Sequence, residues 1–129
     1  MSWWIGTEID TGDDEVTELS DRSVTYNVDE MFRLALAIPE PGIHRERRYC
    51  HCQSGDGIHN TGLEALDRAP CSEAAGVISA ALERMRADPA PYWEMSPANR
   101  YGSYESAMAD LEWLLDQCRR HPMARIYIH

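Results

Sequence analysis

The chain has 129 residues, 43% of them apolar, with 22 carboxylates against 12 cations for a formal charge of −10. A chain of this length buries roughly two-thirds of its unfolded surface as one domain, and none of its apolar runs approaches the ~20 residues that span a bilayer. A net charge of −10 repels phosphate backbones, which argues against a DNA or RNA polymer as partner and leaves no membrane role to assign.

The opening residues read as a hairpin. Trp3, Ile5, Thr7 and Ile9 alternate with Trp4, Gly6, Glu8 and Asp10, the period of two that marks a strand with one apolar face. Thr11-Gly12-Asp13-Asp14 is a turn signal, Glu15 to Leu19 a partner strand, and Ser23 to Tyr26 a further short β-prone segment. The carboxylates crowded here lack the spacing of a calcium loop and read as a solvated acidic turn.

A helix is expected from Asn27, where Asn27 and Glu30 have capping-box spacing and Val28, Met31, Phe32, Ala35 and Ile38 form the apolar stripe. Pro39 and Pro41-Gly42 end it. Residues 39–61 show no sustained period and are expected to form an irregular loop or lid. Gly62 to Leu66 reads as one short turn. Ser72 then caps a helix with Ala75, Ile78, Ala81, Leu82 and Met85 inward. Asp88-Pro89 opens a brief helical segment with Tyr92, Trp93 and Met95, broken by Ser96-Pro97.

The strongest periodicity follows. Tyr104, Ala107, Met108, Leu111, Leu114, Leu115 and Cys118 form one helical face, Ser103 stands at the N-cap, and Arg119-Arg120 suit the negative end of the helix dipole before Pro122 stops it. Ala124 to Ile128 alternates as a closing strand with Ile126 and Ile128 on one face. The elements predict an α+β fold in which an N-terminal hairpin plus the C-terminal strand form a small antiparallel sheet packed by three or more helices. A single domain over residues 1–129 is expected.

Every cation is an arginine, the composition of a GC-rich genome. Met1-Ser2-Trp3-Trp4 lacks the cationic and apolar regions of a signal peptide, so a cytoplasmic location is expected, with the four cysteines as thiols or ligands. Thr25 to Leu36, T-Y-N-V-D-E-M-F-R-L-A-L, resembles a T-x-N-x-x-x-M-[WF] helix start found in a group of small proteins of actinobacterial phages and their hosts. Gly62-Leu63-Glu64-Ala65-Leu66-Asp67 is similar to the G-L-x-x-L-D of that group, and Asp88, Pro89 and Tyr92 to its D-P-x-x-[YF] turn. Ser96 to Tyr104 follows its N-P-x-N-G-x-G-x-Y, and Cys118 to Pro122 its closing C-x-x-H-P. Ser96 and Arg100 replace the group's Asn and Gly, and the Pro39–Asn60 loop is longer. The resemblance brings no catalytic residue with it. It implies a phage or bacterial accessory protein inside the host bacterium, a setting in which anti-defence activity is common.

Candidate chemistry comes from three sets of residues. Arg45, Arg47 and Arg48 form a basic island in an acidic chain, while Arg33 and Arg100 lie near two expected helix starts, whose free N–H groups favour anions. Tyr26, Trp93, Tyr101 and Tyr104 can stack on bases, and Asn27 and Asn99 can read polar edges. Arginine forks with aromatic plates are what a small nucleotide ligand requires, and packing tryptophans with solvated arginines is the structural alternative. The function expected is therefore non-catalytic: binding and sequestering a small anionic ligand such as a cyclic oligonucleotide or ADP-ribose derivative. A homo-oligomer with the pocket at its interface fits the same reading. In the second set, Asp13, Asp14 and Glu15 in the acidic N-terminal face suit an inhibitor of a host protein. In the third, Cys50, Cys52, His59 and Cys71 could supply zinc ligands, or Cys50 near His51 a thiol enzyme, although the C-x-C spacing is tighter than that of usual zinc sites. No cofactor is expected otherwise. Glu105, Glu112, Asp110 and Asp116 read as solvated carboxylates on the polar face of the long helix.

Overall fold

The computed structural model describes residues 2–10, 16–36, 63–95 and 102–128; the expected loop at 39–61 lies outside them. Strand β1 (Ser2–Asp10) pairs antiparallel with β2 (Val16–Thr25) on one side and with β3 (Arg125–Ile128) on the other, giving the order β2-β1-β3. The closing strand thus completes the hairpin as expected, and the fold is α+β. Strand β2 is continuous where the sequence suggests two separate segments. The cause is a bulge: Thr7 faces Ser20 but Glu8 faces Glu18, so Leu19 is an extra residue that interrupts the period of two. On the inner face Ile5, Thr7, Val24, Ile126 and Ile128 are buried, with the Thr7 hydroxyl hydrogen-bonded to that of Ser20 at 2.8 Å.

The opposite face is held by one glycine and one tyrosine. Gly6 lies between Asp21 on β2 and Tyr127 on β3. Tyr127 reaches across β1 to donate its hydroxyl to the Ser20 carbonyl at 3.0 Å. A Cβ on Gly6 would stand 2.7 Å from that hydroxyl and collide with the Ser20 carbonyl itself. Tyr127 is only 2% exposed. Burial raises its pKa, and the Glu18, Asp21 and Glu8 carboxylates push it in the same direction.

Helix α1 (Asp29–Leu36) is preceded by a 3-10 turn over Tyr26–Val28. The expected start at Asn27 is therefore displaced: the Thr25 hydroxyl accepts the Asn27 N–H at 3.3 Å, and the chain tightens into the 3-10 turn before α1 begins. Val28, Met31, Phe32 and Ala35 are buried as their spacing requires; Ile38 lies outside the described residues. Helix α2 (Cys71–Ala87) begins one residue before the expected Ser72 cap. Pro70 bridges to Arg125, the Cys71 N–H donates to the Ala124 carbonyl at 2.9 Å, and Arg68 and Ile126 extend the ladder. A helix donor that would otherwise lack a partner is met by the backbone beside β3 and needs no serine hydroxyl. Arg68 adopts φ +68° to turn from the 3-10 segment Leu63–Leu66 into this ladder.

After the short α3 (Ala90–Glu94), α4 (Tyr104–Arg120) starts at the expected Ser103 cap. The Ser103 hydroxyl accepts the Ser106 N–H at 3.1 Å and the Ser106 hydroxyl accepts the Ser103 N–H at 2.7 Å. Helices α2 and α4 run antiparallel. The Tyr104 hydroxyl donates to the Met85 carbonyl at one end, and Cys118 neighbours Cys71 at the other. Between these ends the buried positions Ala74, Ile78 and Leu82 recur with the spacing of Leu115, Ile78's counterpart Leu111, and Ala107. Helix α4 lies on β1, and α1 joins α2, where Arg84 donates to the Ala35 carbonyl at 2.7 Å. Among the described residues no helix is long and apolar enough to cross a membrane.

Gly6→Ala is expected to destabilise the fold by about 3 kcal/mol or more, read as a fall in the urea midpoint, because the new methyl meets backbone. Tyr127→Phe removes one hydrogen bond and costs about 1 kcal/mol at neutral pH. Because folding raises the Tyr127 pKa, the stability of its neutral phenol is present below the ordinary value of about 10 and is lost as pH rises above it. Urea titrations between pH 8 and 11 should therefore show a shallower alkaline loss in Tyr127→Phe than in the parent.

Candidate functional site

The candidate site lies where α3 meets the first turn of α4. Trp93 and Tyr104 pack edge to face with ring centroids 6.0 Å apart at 78°, and Tyr92 lies 6.0 Å from Tyr104 at 39°. Such pairs contribute about 0.5–1.5 kcal/mol beyond the area they bury. The three aromatics have different tasks. Tyr92 is buried, and that burial raises its pKa. Tyr104 is half-buried and tethered through its hydroxyl to the Met85 carbonyl at 2.8 Å. Trp93 remains 56% exposed. Of the aromatic plates read from the sequence, Tyr104 is thus a support, and Trp93 presents the open ring surface.

Gly102 brings a second segment to this corner. It has φ +96°, and a Cβ there would stand 2.8 Å from Val28 Cγ1 and 2.9 Å from Thr25 Cγ2. The start of α4 is thereby pressed against the 3-10 turn after β2, which carries Asn27 with its side chain exposed. Tyr26 belongs to the same turn; its side chain is outside what the structure describes. Arg45, Arg47, Arg48, Asn99, Arg100 and Tyr101 also lie outside the described residues.

Arg33 requires a correction. It sits in the last turn of α1 and pairs with Asp29 one turn earlier at 2.9 Å. The helix begins at Asp29 and is only eight residues long, so its fifth residue already belongs to the C-terminal end. There a cation complements the dipole of its own helix.

For the metal alternative, Cys50, Cys52 and His59 lie outside the described residues, while Cys71 is buried against Cys118. Among the described residues no group of three or more His, Cys, Asp or Glu side chains is placed to hold a metal ion.

The carboxylates of α4 divide. Glu105, Glu112 and Asp116 are exposed as expected, with Glu112 paired to Arg86 at 2.8 Å and Asp116 to Arg120 at 2.9 Å. Asp110 is not solvated: it is 6% exposed and accepts from Arg22 Nε at 2.9 Å. Burial raises its pKa, and the hydrogen bond and charge of Arg22 act against that rise. The Arg22 guanidinium also lies 6.0 Å from the Trp113 ring centroid, one turn along the same helix. The sequence carried a signal for this pair. Arg22 is opposite Ile5 and two residues from Val24, on the inward parity of β2, where a charge needs a buried partner.

Set against protein-family models, curated proteins and solved structures, the chain matches none of them. The Arg22–Asp110 pair yields a structural prediction. Arg22→Ala should cost about 2 kcal/mol in urea unfolding, a value discounted for the partial exposure of the arginine, because it leaves a buried carboxylate unpaired. Replacing both residues, as Arg22→Met with Asp110→Leu, should return stability to within about 1 kcal/mol of the parent.

Proposed function

We propose that this chain binds and holds a small anionic ligand of the nucleotide type at the corner between α3 and α4, without converting it. The observation that carries the reading is Trp93: a large aromatic ring more than half exposed, braced edge-on by Tyr104, which is itself tied to the end of α2. An exposed tryptophan held in one orientation is a stacking surface prepared before binding, and preorganisation removes part of the entropy cost of capture. Asn27, exposed on the adjoining turn, offers an amide to a base or ribose edge. Arg45, Arg47, Arg48 and Arg100 would supply the phosphate forks, with Asn99 and Tyr101 on either side of Arg100 in the sequence. The resemblance to phage-encoded proteins supports an immune signal of the host, such as a cyclic oligonucleotide or an ADP-ribose derivative, as the ligand class.

The test is a thermal-shift screen with cyclic dinucleotides, cyclic trinucleotides and ADP-ribose derivatives, followed by calorimetry of any that raise the Tm. Trp93→Ala is expected to weaken binding roughly 10- to 100-fold, the range of one lost base stack. Its stability should fall by about 1 kcal/mol, the contribution of the ring pair it removes. Chromatography should return the ligand unchanged after incubation. No shift with any of these compounds, or equal affinity in Trp93→Ala, overturns the proposal.

A further inference from the structure

The most distinctive chemical feature outside that corner is a pair of thiols at the far end of the same helix pair. Cys71 is the first residue of α2 and Cys118 lies in the last turn of α4; both are free, with exposures of 0% and 1%. They come from segments separated by most of the helical half of the chain and meet because α2 and α4 are antiparallel. The contact between Tyr104 and Met85 fixes one end of that register, and the apolar spacing carries it to the two cysteines. Small residues line this interface, Ala74 and Ala81 on α2 and Ala107 on α4, which lets the helix axes approach closely. The register of the two helices places the two side chains next to one another.

We propose that Cys71 and Cys118 are an oxidation site, forming a reversible disulfide that joins the start of α2 to the end of α4 when the folded protein meets hydrogen peroxide. Cys71 is the attacking sulfur. It stands at a helix N-terminus, where the dipole favours a thiolate, and the neighbouring Cys118 lowers its pKa against the opposing effect of burial. Cys118, raised by the neighbouring Cys71 and by its own burial, retains its proton more firmly.

The Cys71 thiolate attacks one peroxide oxygen. An S–O bond forms, the O–O bond breaks, and the departing hydroxide takes up a proton as water, leaving a sulfenic acid. Cys118 then attacks that sulfur. The S–S bond forms, the S–O bond breaks, and the leaving hydroxide combines with the Cys118 proton as a second water. Two thiols lose two electrons in all, and peroxide is reduced to two waters. Both cysteines are buried, so the reaction favours a small neutral oxidant over a bulky thiol or disulfide. Their position at helix ends requires the fraying of only one turn for access.

The experiment uses the full chain, reduced and freed of reductant, then treated with hydrogen peroxide. Remaining thiols are alkylated after denaturation and mapped by peptide mass spectrometry. The expected product is the Cys71 peptide joined to the Cys118 peptide, with both thiols alkylatable again after dithiothreitol. In Cys118→Ser the reaction should stop at a Cys71 sulfenic acid that dimedone traps. Cys71 and Cys118 remaining as alkylatable as in the untreated chain, or a disulfide from either to Cys50 or Cys52, overturns the proposal. The mapping of the parent chain decides this even where the variant fails to fold.

Discussion

The two ends of α2 are closed by groups from other parts of the chain, and much of the architecture depends on that closure. At its start the Cys71 N–H is taken by the Ala124 carbonyl, so the helix grows directly out of the backbone ladder beside β3. At its finish the Met85 carbonyl accepts the Tyr104 hydroxyl, a partner for one of the acceptors that every helix leaves open. A helix closed this way needs no side-chain cap of its own, and none is present at Pro70. The same bonds place α2 along α4 in one register. That register puts Cys71 against Cys118 and holds Tyr104 where Trp93 can lean on it. Core packing, the thiol pair and the aromatic corner are therefore consequences of one helix–helix alignment.

The sheet is governed by a different constraint, the exposure of its two edges. Beyond β3 the edge is occupied by Arg68 to Pro70, whose backbone groups pair with Arg125 and Ile126, while Asp67 accepts the Ile128 N–H at 2.9 Å. Strand β2 forms the other edge over ten residues and carries features that oppose pairing with a further strand: the Leu19 bulge, the inward Arg22, and exposed charges at Glu18 and Asp21. The bulge also directs the Ser20 carbonyl towards Gly6, where Tyr127 binds it. A device that blunts the edge thus supplies the acceptor that ties β3 to β2 across the central strand. The inward arginine couples the edge to α4 through Asp110, so the charge on the edge strand also orients a helix.

The helical half was largely legible because its signals are local and repeated. Ser103 as cap and the apolar stripe of α4 follow from the 3.6-residue period alone. Local signals mislead where a tertiary partner replaces the local one. Ser72 has the chemistry of a cap, but the Ala124 carbonyl meets the first helix donor one residue earlier. Asn27 has capping-box spacing, but Thr25 and the close packing of Gly102 tighten the chain into a 3-10 turn. Asp110 sits on the polar stripe of α4 and looks solvated until Arg22, distant in the sequence, arrives from β2; no helical period encodes that meeting. The bulge in β2 changes parity and leaves no mark in composition, so the sequence suggests two segments there. Of the candidate site, Trp93 and Tyr104 were recognised as aromatics, but their separate roles were not. Those depend on which ring finds a hydrogen-bond partner, a property of the packed molecule.

That separation of roles also bears on how an acidic protein could hold an anion. With a formal charge of −10, the mean field of the chain opposes an approaching phosphate. Base stacking on Trp93 depends on contact area and polarizability, so it is insensitive to that field. A neutral aromatic plate can therefore supply the first share of affinity, leaving arginine forks to act at short range, where a local pair outweighs distant carboxylates screened over about 8–10 Å. A tryptophan serving this purpose must be exposed yet immobile, two demands that conflict for an isolated side chain. Tyr104 bears on both: its hydroxyl is spent on the Met85 carbonyl, its ring packs edge to face with Trp93, and the tryptophan stays more than half exposed.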